Sequence, residues 1–503
     1  MKPENTKKKV IVVGAGISGL VAGIYALKAG FEAEIYESHK VAGGECTGWQ
    51  RNGYMIDGCI HWLTGTKKGT DLYRIWKTCH ALGEDVAVLN NDYITAYQHE
   101  GKTYYFYVDL KKLEQELLNI SPEDESEIKQ LIEIIRDCQE LPIPALKPNE
   151  LLSEEERNNL FAGYMKAGKH LEMGNSMIVR EYTERFRSPV IRKMISTVVP
   201  EHIALTSLFF TLGTRTSSPG SWPEGGSKVF TQRMKQRFEE MGGAIYLNSP
   251  VKNIAIENGK AIGVTLRENN ELKRADYIIP ATDAHLLLDQ FLEGKYKDNF
   301  FDYRFNQPES YPLLSATIVS LGVDIDIKDR PHDLCIQAAK PVSVNKSIHS
   351  QIVIRHFGFD TGFNPQGKST IQVLLDDAEY DYWSTLKNTS EDDYRAEKER
   401  IANEVIAEIE QVYPEIKGHI KMVDVATPLT TNRYCGAYKG AYMAFVAIPG
   451  VKQENHQGYI EGIENMYLAG QWVFPDGGLP MAAIAGKFAV QRICHKEQIE
   501  IVS

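Results

Sequence analysis

Short apolar runs alternate with longer amphipathic stretches along this chain, and the two periods predict interleaved strands and helices. Val10–Val13 reads as a buried parallel strand. A turn with glycines at 14, 16 and 19 follows, then an apolar-periodic helix toward Gly30 and a second strand, Ala33–Tyr36, ending at Glu37. Tyr54, Ile56 and Cys59 alternate with more polar or small residues, as in a short strand or hairpin. Residues 111–140 read as helix, with Ser121 as an N-cap residue and Pro122 at a first helical position. Leu141–Pro148 (LPIPALKP) is an extended connector, and 153–212 is mostly helical, with apolar clusters at Met194–Val199 and Leu208–Leu212. After Ser217 comes a loop over 217–227, then an amphipathic helix, Lys228–Met241, stopped by Gly242 and Gly243. Ala244–Leu247, Val251–Ile256, Ala261–Leu266, Tyr277–Ile279, Leu313–Val323, Gln351–Phe357 and Thr370–Leu375 read as strands, and Glu391–Val412 as a charged helix. Met466–Ala469 closes the strand series. An apolar helix, Pro480–Cys494, is entered through Asp476, Gly477 and Gly478.

This order predicts an α/β architecture: a Rossmann-type nucleotide-binding domain built from discontinuous segments, with an α+β substrate domain inserted. The expected boundaries are 1–75, 221–289 and 456–503 for the first, and 76–220 and 290–455 for the second, whose helical part is 111–212. A chain of 503 residues is too long for one core, which fits this division.

The glycines carry distinct chemistry. Gly14 permits the tight turn, Gly16 lets the backbone approach a pyrophosphate, and Gly19 lets helix and strand pack closely. The helix N-terminus offers N–H groups to phosphates, and Glu37, about 20 residues on, can accept from a ribose hydroxyl. The largely apolar stretch Val10–Leu27 has the length of a membrane span, but its turn-spaced glycines and polar following strand favour dinucleotide binding. A single GxGxxG argues against a second, nicotinamide-binding Rossmann unit, and leaves NAD(P) use open.

Composition narrows the setting. Hydrophobic content of 43% and charged content of 24% suit a soluble globular protein, and a net charge of -11 disfavours nucleic acid and any general attraction to anionic lipid. Lys7–Lys9 is a small basic run that a solvated terminus explains. The seven cysteines form no CxxC pair, so a reduced, cytoplasmic setting without a disulfide framework is expected. No cleavable signal and no other apolar span are evident, so any membrane contact would be peripheral. The thirteen histidines show no HExxH or similar spacing, and no metal is expected.

Five ordered blocks, covering nearly the whole chain, carry a family resemblance. They are GAGISGLVAG with Glu37 and Gly43-Gly44; GYMIDGCIHWLTG; WPEGGS leading through VKNIAIENGKAIGV to ADYIIPATDAH; ATPLTTNRYCG; and MYLAGQWVFPDGGLPMAAIAGKFAVQRI. In these the chain resembles the FAD-dependent phytoene desaturase, carotenoid isomerase and retinol saturase group, within the amine-oxidase-like flavoproteins. The resemblance implies non-covalent FAD. Gly14, Gly16, Ser18, Gly19, Gly43 and Gly44 would lie along the pyrophosphate, Glu37 at the adenosine ribose, and the backbone of Val251 at the adenine. Gly470, Asp476, Leu479 and Met481 would close over the flavin, where a helix starting near Leu479 or Pro480 aims N–H groups at the N1/O2 edge. Two departures stand out. Glu45, Cys46 and Thr47 follow the glycine pair where many relatives carry Arg or Lys, and Asp476 replaces a glycine common in desaturases.

The same resemblance implies a hydrophobic substrate: a long polyene such as a carotenoid or retinoid, whose C–C or C=C bonds are desaturated, saturated or isomerised. Unsaturated fatty acyl lipids, an amine-oxidase activity, and a non-catalytic lipid-binding escort are the alternatives. His61 is the candidate catalytic residue, against an ordinary structural histidine. Trp62 either lines an apolar tunnel or packs a core. Arg433 reads first as the partner of a structural carboxylate and second, with Tyr434, as a substrate contact. Asp57 either orients the segment bearing His61 or caps a turn. Apolar faces at 161–172 and 194–212 serve a core or a peripheral membrane contact.

Overall fold

Four strands distant in sequence form one parallel sheet, in the spatial order Tyr277–Pro280, Lys9–Val13, Glu32–Tyr36, Ala244–Tyr246. The computed structural model describes residues 7–218, 221–474 and 476–502; Pro219 and Gly220 of the expected loop and Pro475 of the last block lie outside the described residues. Alternation along the first strand serves two cores. Val10 and Val12 pack with Leu20, Ile24, Phe238 and Phe488, while Ile11 and Val13 pack with Tyr36, Val251 and Ile254. A strand covered on both faces must be apolar throughout, which is why Val10–Val13 reads as a continuous run. On the first side lie the helices Ile17–Lys28, Gly226–Glu240 and Gly478–Glu497. On the second lies an antiparallel sheet of Val251–Glu257, Lys260–Leu266 and Leu272–Arg274.

The expected strand Met466–Ala469 is reduced to a single bridge, between Met466 and Ile278. Its backbone still bonds to Tyr277–Pro280: Tyr467 N–H donates to Ile278 O at 3.1 Å and Ala469 N–H to Pro280 O at 3.0 Å. Positive φ at Asn465 (61°) and Gly470 (111°) turns the chain at both ends.

A second sheet has seven strands in the order Ile420–Ala426, Ser315–Val323, Ser369–Asp377, Ser347–His356, Asp333–Val344, Tyr93–His99, Lys102–Tyr107. Asp333–Val344 and Tyr93–His99 run parallel, and the other neighbours are antiparallel. Between the hairpin Tyr93–Tyr107 and the rest of this sheet, the chain makes a helical excursion, Leu110–Ser217. The single helix expected over 111–140 is two, Leu110–Ile120 and Glu125–Cys138. Pro122 disfavours helical geometry at the residue before it, and Ser121 sits at φ −149°, ψ 87°. Its hydroxyl donates to Asp124 at 2.8 Å instead of capping main chain. The connector Leu141–Pro148 is extended and tied to the C-terminal helix: the Ala145 and Leu146 carbonyls accept from Lys487 Nζ and Gln491 Nε2, each at 3.0 Å. Among the described residues, no helix is long and apolar enough to cross a membrane.

Candidate active site

The three glycines of the first turn have different structural reasons. At Gly14 φ is +98° and an added Cβ would stand 2.9 Å from the Ala281 carbonyl oxygen. At Gly19 it would stand 1.9 Å from the Gly14 carbonyl oxygen, so helix and turn touch through the missing side chain. Gly16 is unlike both. Its φ is an ordinary −69°, and the nearest atoms to an added Cβ, on Gly43 and Gly44, are 3.9 Å away. The protein's own packing does not demand glycine at 16. The open side of Gly16 is the start of helix Ile17–Lys28, which has no side-chain cap.

Two buried hydroxyls, Ser18 Oγ and Thr282 Oγ1, make no hydrogen bond. Buried polar groups are almost always satisfied, so these orphans, the uncapped N–H groups and the clear side of Gly16 together fit an anionic pyrophosphate. Gly43 and Gly44, with φ of +130° and +60°, bring the following loop against this turn, where Gly43 N–H donates to Ala15 O at 2.8 Å. Glu37 is buried and already employed: it accepts from Ala15 N–H and His39 N–H, each at 2.7 Å, and from Ser38 Oγ at 3.2 Å. A carboxylate with three donors keeps acceptor capacity for a further hydroxyl. Val251 packs with Val13 and Tyr36 at the ends of the parallel strands.

The C-terminal block reaches the same place. Thr282 bridges the two: its Cγ2 is 3.2 Å from an added Cβ at Gly14, and its carbonyl oxygen 3.2 Å from one at Gly470. Gly477 and Gly478, at φ +65° and +82°, swing the chain into the helix Gly478–Glu497. An added Cβ at Gly477 would meet Gln471 Oε1 at 2.6 Å and Ala444 N at 2.8 Å. Gln471 Oε1 accepts from Gly478 N–H at 2.8 Å while its Nε2 donates to Glu45 at 3.2 Å. Burial and the nearby charge of Asp283 push the Glu45 carboxyl up to about 8, so this acid after the glycine pair is protonated at neutral pH. Asp476 accepts from Ala447 N–H at 2.6 Å, its N–H donates to Phe445 O at 2.8 Å, and burial pushes its carboxyl up to about 6. Leu479 and Met481 are half-buried against the core that also holds the first helix.

Asp57 is both a turn and a cap residue. Its Oδ1 accepts from Cys59 N–H and Ile60 N–H, each at 2.9 Å, and from Ser227 Oγ at 2.6 Å, and its Oδ2 accepts from Ser227 N–H at 2.7 Å. It thereby fixes the turn before His61 to the start of helix Gly226–Glu240. Burial holds the His61 pKa well below the ordinary imidazole range; the Arg355 and Arg215 charges add to this and Asp333 opposes it. His61 is therefore neutral. The Trp62 ring lies under the Arg215 guanidinium, 4.7 Å from its centroid. The Cys59 thiol contacts Cys46, and that hydrogen bond and burial raise its pKa well above the usual value, so it stays a neutral thiol.

Arg433 makes no ion pair among the described residues, contrary to the expected carboxylate partner. The residue is exposed to solvent, and its guanidinium lies over its neighbour Tyr434 at 4.4 Å. Tyr434 is 45% exposed and its ring lies 5.2 Å from that of His39, which puts it beside the Glu37 end. One further pair escaped sequence reasoning. Tyr442 Oη donates to Asp376 Oδ1 at 2.5 Å. Asp376 keeps solvent-accessible surface, and partial desolvation raises its pKa. Tyr442 sits in the same loop as Ala444, which packs on Gly477. Away from here, Glu133, Asp137 and His170 bring ligand atoms within 4.8 Å of one another, and Glu133 is held by Lys169 at 2.9 Å.

The profile of the flavin containing amine oxidoreductases matches residues 17–494. The chain belongs to the flavin-containing amine oxidoreductase family. It is 23% identical to the chloroplastic prolycopene isomerase of Daucus carota, over 96% of this chain and 79% of that one. It is 24% identical to a 4,4'-diapophytoene desaturase (4,4'-diapolycopene-forming) of Methylomonas sp, over 98% and 96%. It is 23% identical to the all-trans-retinol 13,14-reductase of Danio rerio, over 98% and 87%. Among solved structures, an oxidoreductase from Methanosarcina mazei superposes with a TM-score of 0.60 at 16% identity, covering 95% of this chain and 98% of that one. The cyclohexylamine oxidase of Brevibacterium oxydans does so at 0.58 and 15%, covering 98% and 100%. These likenesses establish the α/β FAD-binding fold and an FAD-dependent oxidoreductase. As a member of the flavin-containing amine oxidoreductases the protein uses FAD, and the orphaned hydroxyls and open helix start fit that cofactor.

Proposed function

We propose that this flavoprotein acts on C–C and C=C bonds of a long, apolar, unsaturated molecule of carotenoid or retinoid type. What carries the reading is that relatives matched over nearly the whole chain include an isomerase, a desaturase and a reductase named for such polyenes. In this reading, segments 1–75, 221–289 and 456–503 bind FAD, and 76–220 with 290–455 bind substrate. Gly14, Gly16, Ser18, Gly19, Gly43 and Gly44 flank the pyrophosphate, Glu37 takes the ribose, Val251 the adenine, and Gly470, Asp476, Leu479 and Met481 the flavin. The flavin, when bound, supplies hydride exchange.

The chain's own groups do the rest. Asp57 fixes the turn that presents His61. His61, being neutral, offers one ring nitrogen as a proton acceptor. The neutral Glu45 and Cys59 keep fixed negative charge away from an apolar substrate. Contact with a membrane surface belongs to the same proposal: Phe161 and Met165, 67% and 63% exposed one turn apart on helix Glu154–Met165, would meet lipid. The seven unpaired cysteines support a reducing, cytoplasmic location.

Anaerobic mixing with retinol or a carotene, against putrescine and cyclohexylamine, tests the function. Bleaching of the flavin by a polyene, or polyene isomerisation once the flavin is reduced, is the expected result. Bleaching by an amine alone would replace this reading with an amine oxidase, and protein that purifies without flavin and does not take it up would favour the escort. Flotation with liposomes tests the membrane contact.

A further inference from the structure

Arg215, in the proposed substrate region, shares the one carboxylate that acts on it with a second arginine. It lies near the end of the largely apolar helix Leu205–Ser217. Its recorded partners are neutral: the Trp62 ring at 4.7 Å, and the Ile94 carbonyl, which accepts from Nη2 at 3.1 Å. It makes no ion pair among the described residues. The carboxylate that acts on it, Asp333, is already taken by Arg355, whose Nε and Nη2 donate to one Asp333 oxygen at 2.9 and 2.6 Å. The imidazoles of His61 and His332, which feel the Arg215 charge, are neutral. Arg215 therefore keeps most of its planar fork of donors free. A half-buried guanidinium with free donors is matched to both oxygens of one carboxylate.

We propose that Arg215 binds the carboxylate of the substrate, so that a long unsaturated chain ending in a carboxylic acid is preferred over the matching hydrocarbon or alcohol. This rests on the polyene reading above and narrows it. Trp62 holds the guanidinium plane from below, so the cation–π contact positions the anchor. His61 is the neighbouring residue on the same turn, so the chain next to the carboxylate passes the candidate proton acceptor. Arg433, stacked on Tyr434 beside His39, takes no part in this anchor.

The test is equilibrium binding of cis-parinaric acid, a fluorescent conjugated tetraene acid, and of its methyl ester to the FAD-loaded full chain. The acid is expected to bind at least ten-fold more tightly than the ester. Arg215→Gln should abolish that preference and leave ester binding unchanged, and Arg215→Lys should retain part of it. Equal binding of acid and ester by the unmodified protein, or a preference that survives Arg215→Gln, overturns the inference while the long-chain reading stands. Binding of neither overturns the long-chain reading as well. Competition by L-leucine stronger than by the acid overturns both in favour of an amino-acid substrate. The acid–ester comparison needs no variant, so it holds even where Arg215→Gln does not fold.

Discussion

Gly486 of the C-terminal helix lies against Ser18 of the first helix so closely that a Cβ at 486 would stand 2.2 Å from the Ser18 carbonyl oxygen. The first helix and the C-terminal helix thus meet at backbone contact. Gly486→Val is expected to cost at least ~1–3 kcal/mol by overpacking. Thermal unfolding should show the loss, together with lower FAD occupancy in the purified variant.

Gly16 and Gly19 separate cofactor binding from folding. An added Cβ at 19 collides with the Gly14 carbonyl at 1.9 Å, whereas one at 16 has 3.9 Å of clearance. Gly19→Val should therefore unfold or fail to accumulate. Gly16→Val should fold, melt like the FAD-free native protein and lack FAD, which absorbance of the purified protein reads directly. A fully yellow Gly16→Val protein would remove the pyrophosphate from this turn.

Glu45 gives a pH dependence with a definite sign. Its folded-state pKa, about 8, is above the ordinary 4.5, so the folded protein holds the proton more tightly than the unfolded chain. Stability linked to Glu45 is full below about 4.5 and is lost as pH rises through about 8. Unfolding midpoints of the native protein should thus fall relative to Glu45→Gln across that window. Parallel curves for the two proteins would mean that the carboxyl is ionised throughout.

His61→Ala should retain FAD and slow flavin reduction by substrate by about 10²-fold, the lower end of general acid–base effects. Because burial and two guanidinium charges keep the imidazole neutral, the native rate should show no imidazole titration across the neutral range. Rapid-mixing kinetics from acid to alkaline pH check both points, and unchanged reduction in the variant takes His61 out of the chemistry.

What could be read from the sequence was local. Val10–Val13, Gly14, Gly19 and Glu37 lie within one short unit whose backbone demands fall on particular residue types, and the helix expected at Glu391–Val412 has those bounds. The strand Asp333–Val344 was hidden because Lys340 and Pro341 interrupt its alternation, and the pairing slips register between Gln337 and Val342 at that point. Ser121 with Pro122 carried a helix-start signal that an unbroken helix over 111–140 had to ignore. The pairs Tyr442–Asp376 and Arg215–Trp62 left no sequence signal at all, since each joins segments that only the fold brings together. Arg433 shows the converse: an arginine in a recognisable sequence block stands in solvent over its own neighbour's ring and makes no ion pair among the described residues.

The central claim is that Gly14–Gly19 and the block from Gly470 to Met481 hold one FAD between them. A crystal structure of the FAD-loaded protein tests it most directly. The expected result has the pyrophosphate against Gly16 and Ser18 Oγ, with the isoalloxazine at the start of helix Gly478–Glu497. An FAD seated elsewhere, or those two segments in contact with no cofactor between them, would contradict it.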